Sequence, residues 1–122
     1  MKFQLDFGQA SYQIQRYDSQ SVTINDKIYT QSIIVMPEYL SEWAVKDFNR
    51  LEPDHFQRLR ALCPEVVLLG TGAAIHFPTP ELLTPLTHDG IGVEVMNTPA
   101  ACRTYMILMA EGRKVAAALL FE

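Results

Sequence analysis

The stretch VVLLGTG, residues 66–72, has the pattern nearest to a known ligand-binding motif. Glycine-rich loops after buried strands can hold phosphates on their backbone amides. A dinucleotide fingerprint, however, needs a third glycine where this chain has Ile75, and the Gly-Lys-Ser/Thr of a Walker loop does not occur. Pro78 and Pro80 also move the expected start of the next helix to Thr79. The pattern therefore favours a tight turn after a buried strand over a dinucleotide site.

A small anion is the ligand that the surrounding residues suit best. In open parallel sheets ligands bind beyond the carboxyl ends of the strands. A helix beginning at Thr98 would direct free amides at Ala100 and Ala101 towards that edge, and the Arg103 side chain would reach back over it. A surface salt bridge is the alternative role for Arg103. We call this hypothetical anion site the strand-end mouth; its residues are Gly70, Thr71, Gly72, Asn97, Thr98 and Arg103.

No residue pattern predicts catalysis. The three histidines, His55, His76 and His88, lack the spacing of metal ligands, and no pair of carboxylates is placed for acid–base work. Cys102 near a helix start would be a reactive thiolate only with a basic neighbour, so a small buried side chain is the better interpretation. We therefore predict no catalytic residue, no metal and no cofactor, and we favour a non-enzymatic function while leaving enzyme activity open.

Composition excludes several partner classes. The 122 residues are 48% hydrophobic and 20% charged, as expected of one globular domain spanning residues 1–122. A net charge of −4 argues against nucleic-acid binding. The apolar runs are shorter than the roughly 18 residues that a membrane span needs, so no membrane insertion is expected. With no secretory signal pattern and no paired cysteine spacing, the sequence predicts a cytoplasmic protein.

The N-terminal half has the pattern of β-structure. Residues 11–36 predict two consecutive hairpins, with turns at Asp18-Ser19 and Asn25-Asp26 and a last strand that ends before Pro37. Residues 37–52 show no clear period and predict a long connection that Trp43 anchors to the core. Exposed apolar side chains around Tyr39, Leu40 and Trp43 are the predicted contact surface for a protein partner.

The C-terminal half alternates strands and helices. A helix is expected from Pro53 to the residues before Cys63-Pro64, followed by the apolar strand VVLLG. Thr79-Pro80 and Thr98-Pro99 each predict an N-cap and first helical residue, and Pro85 should kink or split the first of these two helices. Their order predicts a parallel βαβαβ core. The fold class is therefore α/β, a single domain in which N-terminal hairpins join a mixed sheet.

Three segments also resemble a known family. PEVVLLGTG, GIGVEVMNTPAACRTY and AEGRKVAAALL are similar to the Mth-domain group of small uncharacterised proteins, which includes the mitochondrial respiratory complex I assembly factor 3 and the adipogenesis-associated Mth-domain-containing protein. The resemblance is specific over residues 64–120 and weaker over 11–63. The matching positions are Gly70, Thr71, Gly72, Gly90, Glu94, Thr98, Arg103, Tyr105, Glu111 and Gly112.

The resemblance implies a three-layer fold, with a mixed sheet, extra β-structure on one side and helices on the other. It implies no established catalytic activity, and the mitochondrial member acts by binding partners during assembly. A protein-interaction or complex-assembly role is therefore the leading hypothesis, and a small-anion or metabolite site at the strand-end mouth is the alternative. Met106, Asn97 and His76 depart from the residues usual at their positions, which makes this version of the mouth less charged.

Overall fold

The computed structural model describes residues 11–121, and within them eight strands form two β-sheets. The strands, in chain order, are β1 (Ile14–Tyr17), β2 (Val22–Ile24), β3 (Lys27–Tyr29), β4 (Ile33–Met36), β5 (Tyr39–Glu42), β6 (Val66–Thr71), β7 (Gly92–Met96) and β8 (Val115–Leu120). The helices are α1 (Pro53–Ala61), α2 (Thr84–Thr87) and α3 (Thr98–Ala110). Short 3₁₀ turns occupy Phe48–Arg50 and Pro80–Leu83.

A three-stranded antiparallel sheet, β1-β2-β3, contains the two hairpins predicted from the turn residues. In the first turn the Asp18 carboxylate accepts hydrogen bonds from the amides of Gln20 and Ser21, each with a donor–acceptor distance of 2.8 Å. These bonds lower the pKa of Asp18, because they favour its ionised form. In the second turn Asn25 and Asp26 have φ of 47° and 73°, a left-handed conformation that these two residue types tolerate best.

The larger sheet has the order β5-β4-β8-β6-β7. β6 is parallel to both β7 and β8, and β4 is antiparallel to β8 and β5. This confirms the mixed sheet and its parallel βαβαβ core. Residues 37–52, in contrast, are not one irregular connection, because Tyr39–Glu42 folds back on β4 with Met36 opposite Tyr39. The sequence pattern missed this strand because its four residues do not alternate between apolar and polar.

Helices cover both faces of the larger sheet. One face packs against α1 and α2 through Phe56, Leu59 and Leu86. The other packs against the smaller sheet and against α3, which contributes Cys102 and Tyr105. The three predicted layers are confirmed, but α3 shares its side with the extra β-structure. The reason is the strand order. The connection from β6 to β7 and the connection from β7 to β8 run in opposite directions across the sheet. Because both crossovers are right-handed, their helices lie on opposite faces, with α3 opposite α2.

Pro85 splits the first crossover, as the sequence predicted. A 3₁₀ turn from Pro80 to Leu83 precedes α2, which is a single helical turn with Pro85 in its first turn. A proline is tolerated there because its missing N–H would have no intrahelical partner. The crossover therefore contains no long helix.

Trp43 anchors the segment after β5, and its side chain is buried rather than available to a partner. Its side chain is 3% exposed, its ring meets Phe56 edge-on at 5.9 Å, and its Nε1 donates a hydrogen bond to the His55 carbonyl over 3.1 Å. The predicted anchoring role is confirmed. The predicted contact surface around it is wrong, because Trp43 is buried and Tyr39 and Leu40 are half-buried.

Candidate functional site

The ends of β6 and β7 meet at the strand-end mouth. β6 ends in Gly70 and Thr71, and its parallel register sets Gly70 beside Met96 at the end of β7. The two segments that follow are bonded directly, because the Thr98 amide donates a hydrogen bond to the Gly72 carbonyl over 2.8 Å. Five of the six hypothesised residues therefore lie together.

Thr98 fills the centre of this junction. Its side chain is fully buried, and its hydroxyl donates to the Leu120 carbonyl over 2.6 Å while accepting from the Gly72 amide over 2.7 Å. One hydroxyl thereby joins the loop after β6, the start of α3 and the end of β8. We call this arrangement of Gly72, Thr98 and Leu120 the threonine brace.

Asn97, one residue earlier than predicted, caps α3. Its side-chain oxygen accepts a hydrogen bond from the Ala100 amide over 2.8 Å, and its carbonyl accepts one from the Ala101 amide over 3.0 Å. The prediction that Thr98 is the N-cap was wrong, because asparagine and threonine both suit that position and the pattern did not separate them. The prediction of free amides at Ala100 and Ala101 was also wrong, since both are bonded within the chain.

The two glycines have different structural reasons. A Cβ atom at Gly70 would lie 3.0 Å from both the Cα and the Oγ1 of Thr98 and 3.1 Å from the Cδ2 of Leu119, so only glycine lets these segments approach so closely. Gly72 has φ of 88°, which confirms the tight turn that the sequence favoured. Both glycines therefore have an explanation that requires no ligand.

Arg103, the sixth hypothesised residue, stands apart from these contacts. It lies on α3 with its side chain exposed, and among residues 11–121 it takes part in no ion pair. The salt bridge considered as its alternative role is therefore not observed in the described part of the chain. Its guanidinium is an exposed cation near the first turns of α3.

The Thr71 hydroxyl organises the loop that follows. It donates to the Ala74 carbonyl over 2.6 Å and accepts from the His76 amide over 3.1 Å. This folds residues 73–79, which we call the apolar loop, so that Ile75 and Phe77 are 48% and 74% exposed. The His76 ring contacts the Phe48 ring at a centroid distance of 5.4 Å. Two large apolar side chains are thus held at the surface.

Sequence reasoning missed the apolar loop. Its available signal was the pair Ile75 and Phe77 between a glycine turn and Pro78, where a connection usually carries polar residues. Their exposure depends on how the Thr71 hydroxyl and the contact between His76 and Phe48 fold the loop, which residue types alone do not show.

The remaining candidates for chemistry have structural roles. Burial raises the pKa of the Cys102 thiol to about 12, so this cysteine stays neutral, which confirms the interpretation as a small buried side chain. Cys63 is exposed, with φ of 54°, at the end of α1. Within residues 11–121 no three His, Cys, Asp or Glu side chains lie where they could jointly bind a metal ion.

No helix in the described part of the chain has the length and apolar character needed to cross a membrane.

Known proteins resemble the chain over most of its length. The mouse protein NADH dehydrogenase (ubiquinone) 1 alpha subcomplex assembly factor 3 is 34% identical over 119 residues, which are 96% of this chain and 64% of the mouse protein. The 13 kDa major membrane protein of Francisella tularensis is 27% identical over 94% of this chain and 95% of its own length. A crystal structure of a Bordetella parapertussis protein has a TM-score of 0.87 at 38% identity, covering 93% of this chain and 98% of that one.

These similarities agree with the resemblance noted in the sequence. This chain spans less than two thirds of the length of the mouse relative. A family model described as a protein of unknown function, DUF498/DUF598, matches residues 14–120. The chain therefore belongs to the DUF498/DUF598 family.

Proposed function

We propose that this protein is a non-enzymatic interaction or complex-assembly factor, and that it binds its protein partner through the apolar loop. The observation that carries the proposal is the exposure of Ile75 and Phe77, two residues apart on a loop that the Thr71 hydroxyl holds in place. Burying one such side chain is worth about 1.5–3 kcal/mol, so a partner with an apolar pocket would gain substantially from contacting both. Large aromatic and aliphatic anchors of this kind dominate many interfaces.

The order of the apolar loop supports binding as well. A mobile loop loses conformational freedom when it binds, which weakens the complex. Here the two hydrogen bonds of the Thr71 hydroxyl and the contact between His76 and Phe48 hold the segment in place before any partner arrives. The Gly-Thr-Gly stretch thus serves to position the two anchors.

The relatives support the class of function rather than a particular partner. The mouse relative is named an assembly factor, and this chain matches 64% of its length. We therefore infer that the partner is a protein, without assigning the mouse protein's partners to this chain. We also propose a cytoplasmic location, which the two free cysteines support, although the Francisella relative is named a membrane protein.

Replacing both anchors should remove the interaction while leaving the fold intact. For Ile75→Ser/Phe77→Ser we expect at least about tenfold less of the bound partner, since losing two central anchors typically costs more than 2 kcal/mol. The measurement is quantitative mass spectrometry of proteins retained from extracts of the native cells by the purified variant and by the unchanged protein.

Ile28→Ser and Ile107→Ser are the matched controls, because these isoleucines are 67% and 59% exposed elsewhere on the surface. The proposal requires that both controls retain the partner. It is wrong if the double variant retains the same proteins in the same amounts as the unchanged protein, or if all three variants lose them equally.

A small-anion site at the strand-end mouth is the second candidate, with Gly70, Thr71, Gly72, Asn97 and Thr98 behind Arg103. The observation that favours it is the exposed guanidinium of Arg103, which no carboxylate neutralises among the described residues. It has little other support, because the nearby amides of Gly72 and Ala100 already have partners.

Thermal unfolding in the presence of inorganic phosphate, nucleotides, sugar phosphates and small carboxylates tests this candidate. A true ligand at about 100 times its dissociation constant adds about 2.7 kcal/mol, which raises Tm by several degrees for a domain of this size. The rise should disappear in Arg103→Ala and persist in Arg16→Ala, which removes another exposed arginine. No rise with any of these compounds would eliminate the site.

A further inference from the structure

A cavity of about 580 Å³ lies at the opposite end of the larger sheet from the strand-end mouth. It is formed where β4 turns into β5, where α1 ends and where α3 passes into β8. We call it the distal cavity. The residues that line it are Ser11, Met36, Pro37, Glu38, Tyr39, Leu62, Met109, Gly112, Arg113 and Lys114. Its volume is within the range of about 300–1,000 Å³ that is usual for small-molecule sites.

Three adaptable apolar side chains line part of the distal cavity. Met36 is buried, and Leu62 and Met109 are half-buried on opposite sides, at the ends of α1 and α3. Methionine has an unbranched, polarisable side chain that adjusts to irregular apolar shapes. These side chains therefore suit a ligand with a flexible hydrocarbon portion.

The rim carries an excess of positive charge. Arg113 and Lys114 lie on it; Arg113 donates to the Glu65 carboxylate over 2.8 Å, whereas no ion pair among residues 11–121 includes Lys114. Glu38 also lines the cavity. Arg58 adds a further cation beside the wall residue Tyr39.

Among residues 11–121, Arg58 takes part in no ion pair with a carboxylate. Its Nη2 donates to the Tyr39 hydroxyl over 3.0 Å and to the Ser41 hydroxyl over 2.6 Å, both neutral oxygens. The hydrogen bond from this guanidinium lowers the pKa of Tyr39, because it stabilises the ionised phenolate. The lining residues carry two cations, Arg113 and Lys114, and one carboxylate, Glu38, so the rim favours an anionic group.

Two backbone carbonyls near the end of α3 are hydrogen-bonded within the chain. The Leu108 carbonyl accepts from the Arg113 amide over 3.1 Å, and the Met109 carbonyl accepts from the Gly112 amide over 3.0 Å. Both are engaged within the chain. An acidic headgroup at the rim would meet the side chain of Lys114.

We propose that the distal cavity binds a medium-chain fatty acid, with the hydrocarbon chain against Met36, Leu62 and Met109 and the carboxylate near Lys114. This site uses different residues from the apolar loop, so fatty-acid binding and partner binding can be tested independently.

Isothermal titration calorimetry of the whole protein with sodium decanoate, kept below its micelle concentration, tests the proposal. We expect one site per chain, and we expect decanol and decyltrimethylammonium to bind at least about tenfold more weakly because they lack the negative charge. Lys114→Glu should weaken decanoate binding at least about tenfold. Since Lys114 is exposed, this variant should still fold.

Lys46→Glu is the matched control, with the same change of charge at an exposed lysine away from the distal cavity, and it should bind decanoate as the unchanged protein does. The proposal is overturned if decanoate gives no saturable heat, if decanol binds as tightly as decanoate, or if Lys114→Glu and Lys46→Glu bind equally well.

Discussion

Gly70→Ala is expected to lower the free energy of unfolding by about 3 kcal/mol. The added Cβ would lie 3.0 Å from the Thr98 Cα, a backbone atom of α3 that cannot turn away as the tip of a flexible side chain can. It would also lie 3.0 Å from the Thr98 Oγ1 and 3.1 Å from the Leu119 Cδ2. Overpacking at such a buried junction typically costs 1–3 kcal/mol, occasionally more, and here it would also disturb the threonine brace. Urea unfolding followed by circular dichroism measures the change.

Gly92→Ala provides the matched control, because Gly92 is also a strand glycine of the same sheet. A Cβ there would meet one atom within 4 Å, the Val66 Cγ2 at an ordinary 3.9 Å. We expect a change of less than about 0.5 kcal/mol, or a small stabilisation from the less flexible unfolded chain. If Gly70→Ala unfolds at the same urea concentration as Gly92→Ala, the close approach between β6 and α3 is not required by the fold.

Thr98→Val should be nearly as damaging, although it hardly changes the volume of the side chain. The variant keeps the shape but removes the hydroxyl, which leaves the buried Gly72 amide without its acceptor and takes from the Leu120 carbonyl its 2.6 Å donor. Leaving buried polar groups unsatisfied costs about 1–3 kcal/mol each, so we expect a loss of about 2–4 kcal/mol. Urea unfolding again measures the loss of unfolding free energy, provided that the dependence of this free energy on urea concentration is the same in both proteins.

Two controls separate the hydroxyl from the rest of the side chain. Thr98→Ser keeps the brace and should retain most of the stability lost in Thr98→Val. Thr104→Val makes the same chemical change on the same helix and should be nearly neutral, because within residues 11–121 the Thr104 hydroxyl donates only a weak hydrogen bond to the Met96 sulfur at 3.6 Å. Equal effects of Thr98→Val and Thr104→Val would show that the threonine brace contributes nothing specific.

The contacts of the threonine brace and of the apolar loop explain the structural role of the Gly-Thr-Gly stretch. Thr98 holds Gly72 at the start of the loop, and Thr71 holds its middle. Residues whose types suggested a phosphate loop are thus occupied by contacts within the chain. The exposed apolar side chains of Ile75 and Phe77 suit contact with a protein better than contact with an anion.

Much of the fold was predictable because its signals are local. The turn residues Asn25 and Asp26 specify a hairpin by their tolerance of left-handed backbone. Pro85 necessarily splits a helix, since proline cannot continue the hydrogen-bond ladder. The uninterrupted apolar residues of β6 and β8 indicate strands buried on both faces, and with helices between them a parallel core follows. The strand β5 lacked such a pattern and was missed.

The sequence by itself determined the alternation of elements, the fold class and the resemblance to a family, since each depends on residue types and spacing along the chain. Only the tertiary structure decided the direction in which each polar group points. It assigned the Thr98 hydroxyl to Gly72 and Leu120, the helix cap to Asn97, and Trp43 to the interior. It also brought Met36, Leu62 and Met109 around one cavity. Except for the local cap of Asn97, these outcomes depend on contacts between residues far apart in the chain, and spacing along the sequence carries no record of such contacts.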